Sequence, residues 1–276
     1  MALVEKTVRK FKKLNKLNEL SGKEWIKFTK SWFVHIPVGR DKKILHPACF
    51  PESIASEFIE FFTKPGQVVL DPFLGTGSSI IASKQLNRHG IGIEIYKKYA
   101  ELSKERIANV KGNVKTLVIN GNSKDIKKIF QKFSIPKADF CITSPPYWNQ
   151  LKRSYKRQKA RKNNGLSTIY GKNSKDIGLI DDYNEFLAEQ KKIFEEIYDV
   201  MKNQSYLVVI TNNVYYNKRM YPLAFDTLHT LSEKWVPKDE KIWCQNGKPL
   251  WPFGIFDVYV GNRHHHYCLI FRKELS

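Results

Sequence analysis

From residue 54 onward, short β-rich runs alternate with segments of helical spacing, and this alternation leaves few folds open to the chain. Residues 54–62 carry apolar side chains at helical period and end at Lys64-Pro65-Gly66, a turn signal. Residues 67–71 then read as a buried strand. After a glycine loop, residues 78–88 are predicted helical, with Ser78 or Ser79 as cap and Gly90 closing the helix. The alternation continues as strand 91–94, helix 96–110, strand 116–119, helix 123–133 and strand 138–143. An amphipathic helix is expected over 182–201, then strand 206–211 and helix 223–231. Residues 242–244 and 267–271 read as a terminal antiparallel β pair. This order predicts an α/β fold with a doubly wound, mostly parallel sheet.

At 276 residues the chain is long enough for one large domain with a sizeable core. Lys and Arg number 47 against 27 Asp and Glu, a net charge of +20, which points to a polyanion or an anionic membrane surface. No apolar run has the length of a membrane span, and the basic N-terminus has no apolar signal core, so membrane insertion is not expected. Cys49, Cys141, Cys244 and Cys268 are far apart and form no CxxC pair, which suits reduced thiols in a cytoplasmic protein. Residues 1–44 stand apart as a basic N-terminal extension ahead of a main domain over 45–276. A second basic segment is inserted at about 149–178; its Lys152, Arg153, Lys156, Arg157, Lys159, Arg161 and Lys162 have no acid among them. Such blocks are often only solvated. This one begins just after the rim described below, where it can close over a bound strand.

Asp71-Pro72-Phe73-Leu74-Gly75-Thr76-Gly77 lies between the first strand of the alternating region and its helix. In an open α/β sheet, ligands bind beyond the carboxyl ends of the strands, where strand order reverses. Gly75 and Gly77 let backbone approach a ligand, and the helix start behind them favours an anionic group. The loop has neither the GxxxxGK[ST] of a phosphate loop nor a full GxGxxG. Glu94 ends the next strand, close to the roughly 20-residue offset of an acid that grips ribose hydroxyls. Loop and acid together suggest a nucleoside cofactor without a pyrophosphate, a description that suits S-adenosyl-L-methionine.

Ser144-Pro145-Pro146-Tyr147, with Trp148 beside it, follows the apolar strand 138–143. Two prolines supply no N–H and fix φ, and each forces its predecessor out of the helical region. The result is a stiff rim with a hydroxyl, bare carbonyl oxygens and an aromatic face, suited to a planar group carrying an amino function.

DPFLGTG, GIEI and TSPPYW resemble the motifs of the amino-methylating DNA methyltransferases, the N4-cytosine and N6-adenine family. His46-Pro47-Ala48-Cys49-Phe50-Pro51 resembles the further motif these enzymes place ahead of the glycine loop. The resemblance spans about residues 45–150, with the cofactor motif ahead of the catalytic one. It implies a methyltransferase domain over 45–276, DNA as partner, and direct methyl transfer to the exocyclic amino nitrogen of a flipped base. It assigns Ser144 Oγ and the Pro145 carbonyl as acceptors of the amino protons, Pro146 to the rim, and Tyr147 to stacking. His46, Pro47, Asp71, Phe73, Gly75, Thr76, Gly77, Glu94 and Thr143 become cofactor contacts. Where the family has an acid after the third strand, this chain has Asn122, whose carbonyl oxygen is expected to accept the adenine amino proton. Ser144 favours cytosine N4, since SPPY is associated more with that base and DPPY with adenine N6. Adenine N6 methylation remains an alternative, as does a nucleic-acid-binding protein with this fold and little turnover.

No metal is expected. His264, His265 and His266 alternate faces on a strand and read as its polar start. Cys141 reads as core rather than nucleophile. Trp251-Pro252-Phe253-Gly254 is either a substrate contact or an aromatic loop packed on the sheet. Residues 149–178 and 236–265 are the candidates for target recognition. Otherwise recognition is short or supplied by a specificity or restriction partner, with restriction-modification one of several open roles.

Overall fold

A computed structural model describes residues 15–35, 50–151 and 173–275. The chain begins with α1 (Gly22–Phe28), β1 (Trp32–Val34), α2 (Glu52–Phe62) and β2 (Val68–Asp71). It continues through α3 (Ser78–Gln85), β3 (His89–Glu94), α4 (Lys97–Ala108), β4 (Thr116–Asn120), α5 (Ile126–Lys132) and β5 (Ala138–Thr143). Beyond the rim come α6 (Tyr183–Val200), β6 (Met201–Thr211), the hairpin β7 (Val214–Tyr216) and β8 (Arg219–Tyr221), α7 (Leu223–Leu231), β9 (Val236–Cys244) and β10 (His265–Arg272).

Eight strands form one sheet in the order β1-β9-β10-β6-β5-β2-β3-β4. β2, β3, β4, β5 and β6 pair in parallel, and β10 runs antiparallel to both β6 and β9. The doubly wound sheet and its terminal antiparallel pair are therefore as predicted. From β2 the chain winds outward through β3 and β4, then returns to lay β5 on the other side of β2. The ends of β2 and β5 thus form the crevice where such folds bind ligands.

Alternation along the strands divides the core in two. Leu70, Cys141, Leu207, Val209, Leu269 and Phe271 face one side with α5, α6 and α7 residues such as Phe130, Phe194 and Leu223. Val69, Phe140, Ile142, Val208, Cys268 and Ile270 face the other with Phe58, Ile59 and Phe62 of α2. Side chains of period two on strands covered on both faces give these near-continuous apolar runs. A third cluster, Leu74, Ile80, Ile81 and Ile107, joins α3 to α4.

Three local expectations are corrected. The cap of α3 is Gly77 at φ 91°, not a serine side chain, because the Ser79 hydroxyl turns to Asp71 instead. Gly90 does not close that helix but lies within β3, where a Cβ would sit 2.7 Å from Ile80 Cγ2; the turn is made at Asn87, φ 59°. The first turn of the 123–133 helix is a 3-10 turn, Ser123–Asp125.

The described part of residues 1–44 packs on α2. Trp25 lies 4.7 Å from Phe61 and Phe28 stacks on it at 3.8 Å, while Asn18 Nδ2 donates to the Phe61 carbonyl at 2.5 Å. Ser21 and Glu24 form a capping box on α1, and β1 widens the sheet by pairing with β9. Among the described residues no helix is long and apolar enough to cross a membrane.

Candidate active site

Asp71, at the end of β2, is buried and gathers the surrounding loops. Its Oδ1 accepts from Thr143 Oγ1 at 2.7 Å and from the Phe73 N–H at 3.0 Å, and its Oδ2 accepts from Ser79 Oγ at 2.5 Å. One carboxylate therefore ties β2, the end of β5 and the start of α3. Burial raises its pKa to about 6, against the pull of those three donors.

The glycine loop is braced from behind by α4. Ser103 Oγ donates to the Gly75 carbonyl at 2.8 Å, and Arg106 donates to the Thr76 carbonyl while pairing with Glu52 of α2 at 2.5 Å. Gly75 (φ 57°) and Gly77 (φ 91°) take the left-handed conformation that this path requires. Glu94, at the end of β3, accepts the Gly75 N–H at 2.8 Å and the Tyr96 N–H at 2.9 Å. Burial raises the Glu94 pKa to about 7 despite those two donors. The N–H that the sequence offers to an anionic ligand is thus already turned to a carboxylate of the chain itself.

A cavity opens between these strand ends and the rim. Phe73, Glu94 and Asn122 line it from one side, and Ser144, Pro145, Pro146 and Tyr147 from the other. The motifs singled out in the sequence therefore meet in one place. Asp71 and Thr143 lie beneath as fully buried support, and Gly75, Thr76 and Gly77 stand behind Glu94, outside the cavity wall. Asn122 Oδ1 accepts the Lys124 N–H at 3.0 Å as cap of the 3-10 turn, so its role in the fold is to start that turn. His46 and Pro47 lie outside the described residues, as do Lys152, Arg153, Lys156, Arg157, Lys159, Arg161 and Lys162.

The rim is stiffer than its prolines alone require. Ser144 Oγ donates to Tyr147 OH at 3.0 Å, and Tyr147 OH lies 3.3 Å from His266 Nδ1 of β10. The His266 ring stacks on Trp243 of β9 at 4.7 Å. Trp148 takes a positive φ of 27°, held by contacts with Tyr183, Tyr216 and Tyr221 and by its indole N–H on the Asp181 carbonyl at 3.2 Å. Cys141 is fully buried and burial pushes its thiol far up, as suits a core residue.

Two residues at this site were missed in the sequence. His266 was read only as part of a polar strand start. Asp176 lay in a segment singled out for its bases, yet it lines the cavity and is buried. Its Oδ2 accepts from Tyr96 OH at 2.6 Å and its Oδ1 from the Gly178 N–H at 2.8 Å. Burial and that acceptor raise the pKa of the Tyr96 hydroxyl.

A family model described as DNA methylase, of the N6/N4 class, matches residues 2–105 and 138–274. The chain belongs to this DNA methylase family. Its relatives include the type II methyltransferase M.HpaI of Haemophilus parainfluenzae, 40% identical over 75 residues, which cover 27% of this chain and 24% of that protein. The type II methyltransferase M.BglI of Bacillus subtilis is 36% identical over 112 residues, covering 41% of this chain and 30% of that protein. The chain spans less than a third of the length of these curated relatives. Among solved structures, NSun6 from Pyrococcus horikoshii aligns with a TM-score of 0.51 at 12% identity, over 83% of this chain and 53% of that one. At that identity the likeness supports the fold of this DNA methylase and nothing further.

Proposed function

We propose that this DNA methylase family member is a site-specific DNA methyltransferase that moves a methyl group from S-adenosylmethionine to the N4 amino group of a flipped cytosine. One observation carries the reading: the Ser144–Tyr147 rim and Glu94 line the same cavity, at the point where strand order reverses.

The residues present fit the donor. Glu94 offers carboxylate oxygens to ribose hydroxyls, and Phe73, Ile95 and Ile177 give apolar walls for a flat base. Bound S-adenosylmethionine supplies an electrophilic methyl group. Everything else falls to the chain. Ser144 donates its own proton to Tyr147, which leaves the Oγ lone pairs open to an amino N–H. The Pro145 carbonyl stands beside it as a second acceptor. Two acceptors on the amino protons favour a tetrahedral nitrogen with its lone pair exposed, and holding it in line lowers the barrier by several kcal/mol. With His266 Nδ1 unprotonated, hydrogen bonds run from Ser144 through Tyr147 to His266 and fix which way the Ser144 lone pairs point.

Ser144 at the head of the rim supports cytosine as target. The same proposal includes a methyltransferase domain over 45–276 behind the 1–44 extension, and DNA contacts from Lys152 to Lys162. Labelled S-adenosylmethionine incubated with DNA, followed by separation of the nucleosides by mass, tests it. The expected product is N4-methylcytosine. Label in N6-methyladenine alone would reverse the base assignment, and no label on DNA despite measurable donor binding would return the chain to a binding protein.

A further inference from the structure

The segment between β9 and β10, residues 245–264, leaves the sheet directly beside the rim. Cys244 and His265 pair where it starts and ends, and the next pair inward is Trp243 with His266, the residue that reaches Tyr147. The loop has a built neck. The Trp251 N–H donates to Asn262 Oδ1 at 3.0 Å, and Asn262 Nδ2 donates to the Trp251 carbonyl at 2.9 Å. Within the neck the Asp257 and Val258 N–H groups both donate to the Gly254 carbonyl, at 3.0 and 2.9 Å. Gly254 sits at φ 62°, where a Cβ would strike the Val258 carbonyl at 2.1 Å, so the turn admits only glycine.

What this scaffold presents is apolar and open. Phe256 is 102% exposed and Tyr259 95%, with Leu250, Trp251, Ile255 and Val258 exposed around them. The aromatic stretch is therefore not packed on the sheet. A hydrogen-bonded turn that holds large apolar side chains in solvent marks an interaction site.

The side chains around the loop say what kind of partner it takes. Flat aromatic faces held in solvent suit stacking on bases, so a nucleobase strand is the partner that fits the tip. The charge around the loop agrees. The neighbouring hairpin carries exposed Lys218 and Arg219 at its tip, and Arg263 lies over the Tyr215 ring of the same hairpin at 5.6 Å.

We propose that residues 245–264 form a DNA-docking wedge, with Phe256 and Tyr259 stacking on bases next to the target nucleotide. This rests on the DNA methyltransferase reading. Mutating exposed side chains leaves the core intact, so Phe256→Ala/Tyr259→Ala can be compared with the parent by anisotropy on fluorescein-labelled mixed-sequence DNA, duplex and single-stranded. Calorimetry with S-adenosylmethionine serves as the control for the donor site. Stacking of an aromatic on a base predicts about tenfold weaker DNA binding in the double variant. Donor affinity is unchanged, and Phe256→Trp/Tyr259→Trp recovers the binding.

Equal DNA affinity in parent and double variant overturns the wedge. So does an unchanged affinity accompanied by a fall in sedimentation mass, which would give the surface to a second copy of the chain. If the parent methylates DNA but the double variant does so equally well, the wedge fails and the methyltransferase reading stands. If the parent binds donor but neither binds nor methylates DNA, both fall.

Discussion

At the ends of β2 and β3, two buried carboxylates collect the N–H and O–H groups of the loops around them. At the ends of β6, β9 and β10, the same sheet edge carries an exposed apolar loop and buried polar atoms with no partner among the described residues. Asp71 and Glu94 together take five donors from Phe73, Ser79, Thr143, Gly75 and Tyr96. On the other side Thr211 Oγ1, Asn212 Oδ1, Trp243 Nε1 and Gln245 Oε1 have no partner among the described residues, and neither has Thr76 Oγ1 in the glycine loop. The donor side is thus mostly satisfied by the chain itself, whereas more polar atoms beyond the rim stay open among the described residues. The rim lies between the two: Thr143 just ahead of it bonds Asp71, and Tyr147 reaches His266.

The contrast is broken most severely by removing its central acceptor. Asp71→Ala leaves two hydroxyls and one N–H buried with no acceptor, which costs about 3 kcal/mol of unfolding free energy. Denaturant titration measures it. An unchanged midpoint would mean that the donor side is not held together through this carboxylate.

At the rim the expected loss is in chemistry, not stability. Ser144→Ala should lower kcat about a hundredfold, as removal of a single aimed hydrogen-bonding group does elsewhere, with donor affinity intact. Equal losses in turnover and donor binding would move Ser144 from the acceptor site to the donor site.

Glu94 sharpens the comparison through pH. Its pKa is raised to about 7 by burial, so it is protonated below that value and ionised above it. Ribose hydroxyls donate best to the ionised form, so donor affinity falls as pH drops through about 7. Stability of the ligand-free protein moves the opposite way. A raised carboxyl pKa stabilises the fold below the unfolded value of 4.5, and this is lost as pH rises through about 7. Glu94→Gln should bind donor about tenfold more weakly, with no slope across that window, since hydrogen bonds to charged groups are the stronger ones. Calorimetry over a pH series reads both, and a parent affinity that is flat through pH 7 removes Glu94 from ribose binding.

What of the donor side was legible in the sequence, the glycine loop and its link to Glu94, is written locally. Glycines, prolines and the Gly75-to-Glu94 spacing fix conformation within one strand-loop-strand unit. The alternation of strands and helices likewise carried the doubly wound, mostly parallel sheet and its terminal antiparallel pair. What escaped was assembled by tertiary contact. His266 reaches Tyr147 across 119 residues, and Asp176 reaches Tyr96 across 80. No periodicity or spacing reports either contact. Asn122 lines the cavity as a residue the sequence singled out, and its carbonyl oxygen also caps the 3-10 turn, a second duty that spacing alone does not report. The β7–β8 hairpin was invisible because its tight turn uses Asn217 and Lys218, at φ 47° and 60°, with no glycine to announce it.

The smallest expected effect tests whether Asp176 belongs to the satisfied side. It comes from beyond the rim, yet its two oxygens are taken by Tyr96 OH and the Gly178 N–H, in the manner of Asp71 and Glu94. Tyr96 also gives its backbone N–H to Glu94, so the residue links the segment around Asp176 to the carboxylate that faces the cavity. Tyr96→Phe and Asp176→Asn should each weaken donor binding about three- to fivefold, which corresponds to about 1 kcal/mol for one lost hydrogen bond. If the pair acts as one latch, the double variant loses no more than either single change, because the second substitution removes a contact already gone. Additive losses in the double variant would separate the two residues. Asp176 would then be part of the unfinished edge, waiting for DNA instead of closing the donor site.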